Sequence, residues 1–234
     1  MGLNAQHILL AGATGLVGGL VASEVLASPG FSGKLVAPGR RALALSDPRL
    51  VAAVCDFAAP EADRDLAAAM RNAHALPLDA YVCCLGTTLR AAGSREAFLA
   101  VDRELVIRLA QLARELGASR AVLVSSVGAS RQSGNFYLRV KGEVEDALER
   151  AGFSRLDLLQ PGLLIGPRAE RRPTEAIAQR FAPLADPLLF GGLRRYRSIP
   201  ALSVARAIVA LLEETGSGVF THTHDAIVAR AARG

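Results

Sequence analysis

The chain has 234 residues, 51% of them hydrophobic, and a formal net charge of +5. That length and apolar content fit one α/β domain, with a sheet buried on both faces and no need of a disulfide or metal staple, and they exclude a disordered chain. Of the 27 basic residues 25 are arginines, Lys34 and Lys141 being the only lysines. They interleave with acids, without the charged stripe or stacking aromatics of a nucleic-acid surface.

His7–Ala11 reads as a strand and Leu16–Ala27 as a helix. The uncharged run around them, His7 to Ser23, competes as a membrane helix. Four glycines interrupt it, Glu24 closes it short of a span, and no Lys or Arg precedes it as in a signal peptide, so a soluble cytoplasmic protein is expected. Strands follow at Lys34–Ala37, ending at Pro38-Gly39, and at Leu50–Cys55. A helix is expected at Ala62–Ala73, a strand at Ala80–Leu85, one long helix at Arg95–Leu116 and a strand at Ala121–Ser125. Phe136–Arg150 is the next helix and Leu156–Leu159 the sixth strand. Residues 161–200, rich in Gly, Pro and Arg, read as a small irregular substrate-side lobe. A last helix runs over Leu202–Glu213, and Gly218–Phe220 adds an edge strand. Alternation of short apolar runs with helices predicts a doubly wound, Rossmann-type parallel sheet in one domain spanning 1–234.

The first strand runs into Gly12-Ala13-Thr14-Gly15-Leu16-Val17-Gly18. Glycines there let the backbone turn tightly and approach a pyrophosphate, while the next helix aims free N–H groups and its positive dipole end at that anion. The position after an N-terminal strand and before a helix is the context such a motif requires. Where an NAD site carries an acid about 20 residues on, this chain has Gly39-Arg40-Arg41. A carboxylate repels a 2′-phosphate and a guanidinium grips it, so NADPH is expected over NADH. The alternative is that both arginines are solvated. Asp56, after the third strand, has two readings: an adenine contact or a turn cap.

Tyr137 and Lys141 are four apart, on one face of the helix that follows Ser125 and Ser126. A tyrosine with its ordinary pKa near 10 is a poor base at neutral pH. An ammonium about 4 Å away stabilises a phenolate by about 4 kcal/mol at an effective dielectric near 20, about three pKa units. That spacing suits proton transfer to or from the oxygen of a carbon that gains or loses hydride, with a serine orienting the substrate oxygen. The bland alternative is a buried tyrosine and a solvated lysine.

Cys55, Cys83 and Cys84 are odd in number and sit in apolar runs, which points to a reducing compartment and against a zinc or disulfide framework. His222-Thr223-His224-Asp225 has no further ligands nearby and is read as surface rather than metal site. Arg168, Arg171 and Arg172 are either an anion clamp or solvated. Phe181, Phe190 and Tyr196 either line a substrate pocket or pack the lobe onto the sheet.

With these motifs in place the chain resembles the atypical short-chain dehydrogenase/reductase superfamily, and within it the HIV Tat-interacting protein (metastasis suppressor) group. The resemblance rests on Gly12–Gly18, Gly39-Arg40-Arg41, Cys83-Cys84-Leu85-Gly86-Thr87-Thr88, Val101-Asp102-Arg103 and Ser125-Ser126. It continues through Phe136-Tyr137-Leu138, Lys141-Gly142-Glu143-Val144-Glu145 and Pro161-Gly162. It implies a Rossmann core that binds NADPH. Gly12, Thr14, Gly15, Leu16, Val17 and Gly18 would lie at the pyrophosphate, Arg40 and Arg41 at the 2′-phosphate, and Leu85-Gly86 against the adenosine ribose. Tyr137 and Lys141 would stand at the nicotinamide, with Leu164 and Arg172 near it, and Ser126 would be the catalytic serine with Ser125 the alternate. Two departures stand out: many members carry Asn where Asp102 stands, and the group often has Arg where Gln160 precedes Pro-Gly. Members of the group are known mainly as regulators. Two expectations therefore stand side by side: an NADPH-dependent oxidoreductase with a small-molecule carbonyl or alcohol substrate, and a non-catalytic NADPH-binding regulatory or scaffold protein with a protein partner. Neither involves nucleic acid, a membrane or a bound metal.

Overall fold

The structure is a computed structural model that describes residue 3, residues 6–166, residue 186 and residues 189–233. Seven parallel strands form one sheet: β1 (Ile8–Ala11), β2 (Leu35–Gly39), β3 (Leu50–Val54), β4 (Ala80–Cys83), β5 (Arg120–Val124), β6 (Arg155–Leu159) and, at the edge, a strand at Gly218–His222. The order is β3-β2-β1-β4-β5-β6 and then the edge strand. The Rossmann-type sheet expected from the alternating pattern is therefore present.

Alternate residues of each strand serve opposite faces, because successive side chains point to opposite sides. Ile8 and Leu10 join the core under α1 (Leu16–Ala27) and the helix Ala201–Glu213, with Val21, Val25, Ile208 and Leu211. Leu9 and Ala11 join the other core, with Leu66 and Met70 of α2 (Ala62–Asn72). Leu109 of α5 (Val106–Glu115) and Val144 and Leu148 of α6 (Phe136–Arg150) complete that layer. Two-sided burial explains why β1 and β4 read as unbroken apolar runs.

The chain steps outward from β1 to β3, then returns to β4 on the far side of β1. The crevice where strand order reverses is where such sheets hold ligands, at the strands' C-terminal ends. Gly12, Arg40-Arg41, Asp56, Leu85-Gly86, Ser125-Ser126 and Gln160 all follow the C-terminal ends of their strands.

Several elements differ from the sequence reading. The expected helix Arg95–Leu116 is three pieces: α4 (Arg95–Leu99), a π-helical turn over Ala100–Leu105, and α5. Apolar periodicity cannot register the extra residue of a π turn. A short helix α3 (Leu89–Ala92), capped by the Thr88 side chain, and a helix at His224–Ala231 were not expected. In the 161–200 stretch the described residues form a two-strand pairing of β7 (Leu164–Ile165) with β8 (Ile199–Pro200) and a 3₁₀ turn at Gly191–Tyr196.

Candidate functional site

The loop after β1 is shaped by close backbone approaches. Gly12 has φ +85°, and a Cβ there would stand 2.7 Å from the main chain of Cys84 and Leu85. A Cβ on Gly18 would run into the Gly12 carbonyl. Gly15 donates its N–H to that carbonyl at 3.0 Å and begins α1 with no side-chain cap and no acid in the first turn. The first-turn amides of a helix have no acceptor within it, so this end offers donors and a positive dipole to an anion. Thr14 and Gly15 are exposed and Leu16 half-buried, while the Val17 side chain lies in the core, so Val17 offers only its backbone.

Arg40 and Arg41 are exposed at the end of β2, and neither has an ion-pair partner among the described residues. Asp56 accepts the Ala58 N–H at 3.0 Å, which is the turn-capping reading. Leu85 is half-buried and Gly86 exposed just beyond β4. Leu164 is half-buried in β7, and a Cβ on Gly166 would stand 3.1 Å from Leu16, which brings this segment over the start of α1. Arg172, with Arg168, Arg171 and Phe181, lies outside the described residues.

The start of α6 is fixed by Asn135, whose side chain accepts the Leu138 N–H, and by the buried Phe98, whose ring centre lies 5.7 Å from that of Phe136 and 6.0 Å from that of Tyr137. Lys141 follows one turn on, with its ammonium 5.8 Å from the Tyr137 ring centre. Lys141 is 4% exposed and makes an ion pair at 3.0 Å with Asp102, which is wholly buried. Asp102 also accepts the Thr87 N–H at 2.8 Å. Burial by itself would pull the lysine's pKa down, but the charges of Asp102 and Tyr137 outweigh it and hold the pKa above its ordinary value.

Glu145, a further turn along the same face as Tyr137 and Lys141, receives Gln160 Nε2 at 3.0 Å on both carboxylate oxygens. Burial pushes its carboxyl above the usual range, despite these hydrogen bonds. The sequence reading passed over this contact between Glu145 and Gln160. The i, i+4, i+8 spacing from Tyr137 was its one available signal. Ser125 is buried beside this cluster. Ser126 is half-buried, with its hydroxyl no nearer than 3.5 Å to the Val127 carbonyl.

Elsewhere two expectations change. His222 is not a surface residue. It is buried, with Nε2 2.8 Å from Asp157, because the last strand sits against β6 and carries it inward. Phe190 is 71% exposed and Tyr196 is also exposed, so among the described residues neither packs the lobe onto the sheet. No group of three or more metal-ligating side chains occurs among the described residues, and no helix among them is long and apolar enough to cross a membrane.

A family model described as NAD(P)H-binding matches residues 12–215. The rat protein HTATIP2 (Rattus norvegicus) is 36% identical over 217 residues, covering 91% of this chain and 84% of its own. The mitochondrial protein FMP52 of Lodderomyces elongisporus is 36% identical over 223 residues, covering 92% and 90%. Among solved structures the Bordetella bronchiseptica enzyme WbmH in complex with NAD+ aligns with TM-score 0.66 at 16% identity, over 93% of this chain and 75% of that one. The expectation of a cytoplasmic protein is corrected by fungal relatives that are named mitochondrial, among them two at 33% and 36% identity. An interrupted apolar run argues against a spanning helix there but carries no information on the compartment.

Proposed function

Because this chain belongs to the NAD(P)H-binding family and is a homologue of HTATIP2, we propose that it is an NADPH-dependent oxidoreductase of short-chain dehydrogenase/reductase type, acting on a small carbonyl or alcohol substrate. The observation that carries the reading is the Lys141 ammonium lodged beside the Tyr137 ring, at the same sheet edge as the uncapped start of α1. A lysine 4% exposed is otherwise a cost to the fold, and a catalytic role accounts for it.

The residues present fit the coenzyme. Gly12 and Gly18 let the loop backbone pack closely on itself and on the Cys84-Leu85 corner, exposed Gly15 puts no side chain over the helix start, and the uncapped amides of α1 would hold a diphosphate with the Thr14 backbone. Arg40 and Arg41, free of carboxylate partners among the described residues, are suited to a 2′-phosphate and set the preference for NADPH. Leu85 and Gly86 would flank the adenosine side, Leu164 the nicotinamide side. When bound, the dihydronicotinamide supplies hydride. Tyr137 gives its hydroxyl proton to the substrate oxygen, Lys141 stabilises the phenolate left behind, and Ser126, the more accessible of the two serines, orients that oxygen. Asp56 caps its turn and needs no coenzyme contact to account for its geometry.

A second reading, a non-catalytic NADPH-binding protein with a protein partner, is favoured by one observation: Asp102 engages the lysine that a proton relay would use. Oxidation of NADPH against a panel of aldehydes and ketones, run beside Tyr137→Phe, separates the two. Turnover lost in the variant supports the enzyme. NADPH binding without turnover, joined to a nucleotide-dependent partner, supports the scaffold. The fungal relatives make the mitochondrion the compartment to examine.

A further inference from the structure

We propose that Asp102 is a positioning residue that neutralises Lys141 toward the coenzyme, and so favours the oxidised, cationic nicotinamide over the reduced one. The inference rests on the coenzyme reading above. It predicts a site biased toward giving hydride away, that is, toward carbonyl reduction.

The geometry begins in the π turn. Asp102 is its third residue, between α4 and α5, and the wider turn sits where this carboxylate faces the sheet edge, wholly buried. π turns cost helical hydrogen-bond geometry and recur where a side chain must be aimed. One oxygen takes the Thr87 N–H and the other the Lys141 ammonium. A Cβ on Gly86 would stand 3.7 Å from Lys141 Nζ and 3.8 Å from Asp102 Oδ1. The pair therefore lies against the exposed Gly86, which has no side chain to cover it, just beyond the C-terminal end of β4. Facing the same ammonium are Tyr137 on α6, Glu145 one turn further, and Cys83 on β4, whose thiol burial keeps neutral. Asp102 is the carboxylate in contact with it.

A lone ammonium in a water-poor site repels a positively charged ring, whereas a contact ion pair presents a dipole whose field falls off faster. In reduction the Tyr137 proton would pass to the carbonyl oxygen, and a coenzyme that had supplied its hydride to the carbonyl carbon would carry a positive charge on its ring. Asp102 lowers the cost of that charge. An Asn in its place would keep the hydrogen bond to Thr87 and withdraw the compensation.

The test is the ratio of dissociation constants for NADP+ and NADPH, measured calorimetrically in the full chain. Asp102→Asn is expected to raise Kd(NADP+)/Kd(NADPH) about tenfold, and the double variant Asp102→Asn with Lys141→Met to bring it back within about threefold of wild type. A purely structural role would weaken both nucleotides alike and leave the ratio where it was, which overturns the proposal. If Asp102→Asn does not fold, Lys141→Met tests the same idea with the sign reversed, and an unmoved ratio is again fatal. Wild-type protein that binds neither nucleotide removes the coenzyme reading itself, a result distinct from an unmoved ratio, and this inference goes with it.

Discussion

The Gly12 α-carbon lies so close to Cys84 that a Cβ on it would stand 2.7 Å from the Cys84 carbonyl carbon. The phosphate loop after β1 and the Leu85-Gly86 corner after β4 are therefore one packed unit across the switch point. Nucleotide binding should be sensitive to any side chain at Gly12 or Gly18 and indifferent to one at Gly134, which has open space around it. Gly18→Ala is expected to weaken NADPH binding at least tenfold by calorimetry, while Gly134→Ala stays within twofold.

Arg40 and Arg41 should act on one phosphate and nothing else. Replacing both by Ser is expected to weaken NADPH at least tenfold and leave NADH within about threefold, since paired charge-assisted hydrogen bonds are lost only where the 2′-phosphate exists. Equal weakening of both nucleotides would refute the assignment.

Tyr137→Phe removes a proton donor without removing the ring that packs on Phe98. The turnover number is expected to fall by about 10²–10⁴, the usual contribution of general acid catalysis, with NADPH affinity nearly unchanged. Stopped-flow and calorimetry read the two quantities separately.

Stability should depend on a buried network away from the site. Arg155, Asp157 and His222 are buried together, with Arg155–Asp157 at 2.6 Å and Arg155–Glu214 at 2.8 Å. Burial opposes ionisation of Asp157, but hydrogen bonds from His222 and Arg155 prevail and hold its carboxyl below the usual range. Its stabilisation is thus complete above the unfolded-state value of 3.8 and is lost as pH falls through the lower folded value. Asp157→Asn, which leaves Arg155 without its carboxylate partner on β6, is expected to cost about 3 kcal/mol at pH 7 in urea unfolding. The gap to wild type should close as both are titrated well below pH 4.

Much of the frame was legible in the chain itself. β1 and α1 could be read from residues 7–27 because strand, glycine turn and helix each leave a local mark. So could the face shared by Tyr137 and Lys141, because four-residue spacing fixes it in any helix. The compartment left no such mark and was misread.

Other features were settled between segments far apart in sequence. The π turn that aims Asp102 at Lys141, the Gln160 amide that straddles Glu145, and the inward turn of His222 onto Asp157 depend on partners 39, 15 and 65 residues away. Local propensity and periodicity report the energy of a segment on its own. A buried charge is placed by whichever distant group can offset its desolvation, and only the folded chain brings that group alongside.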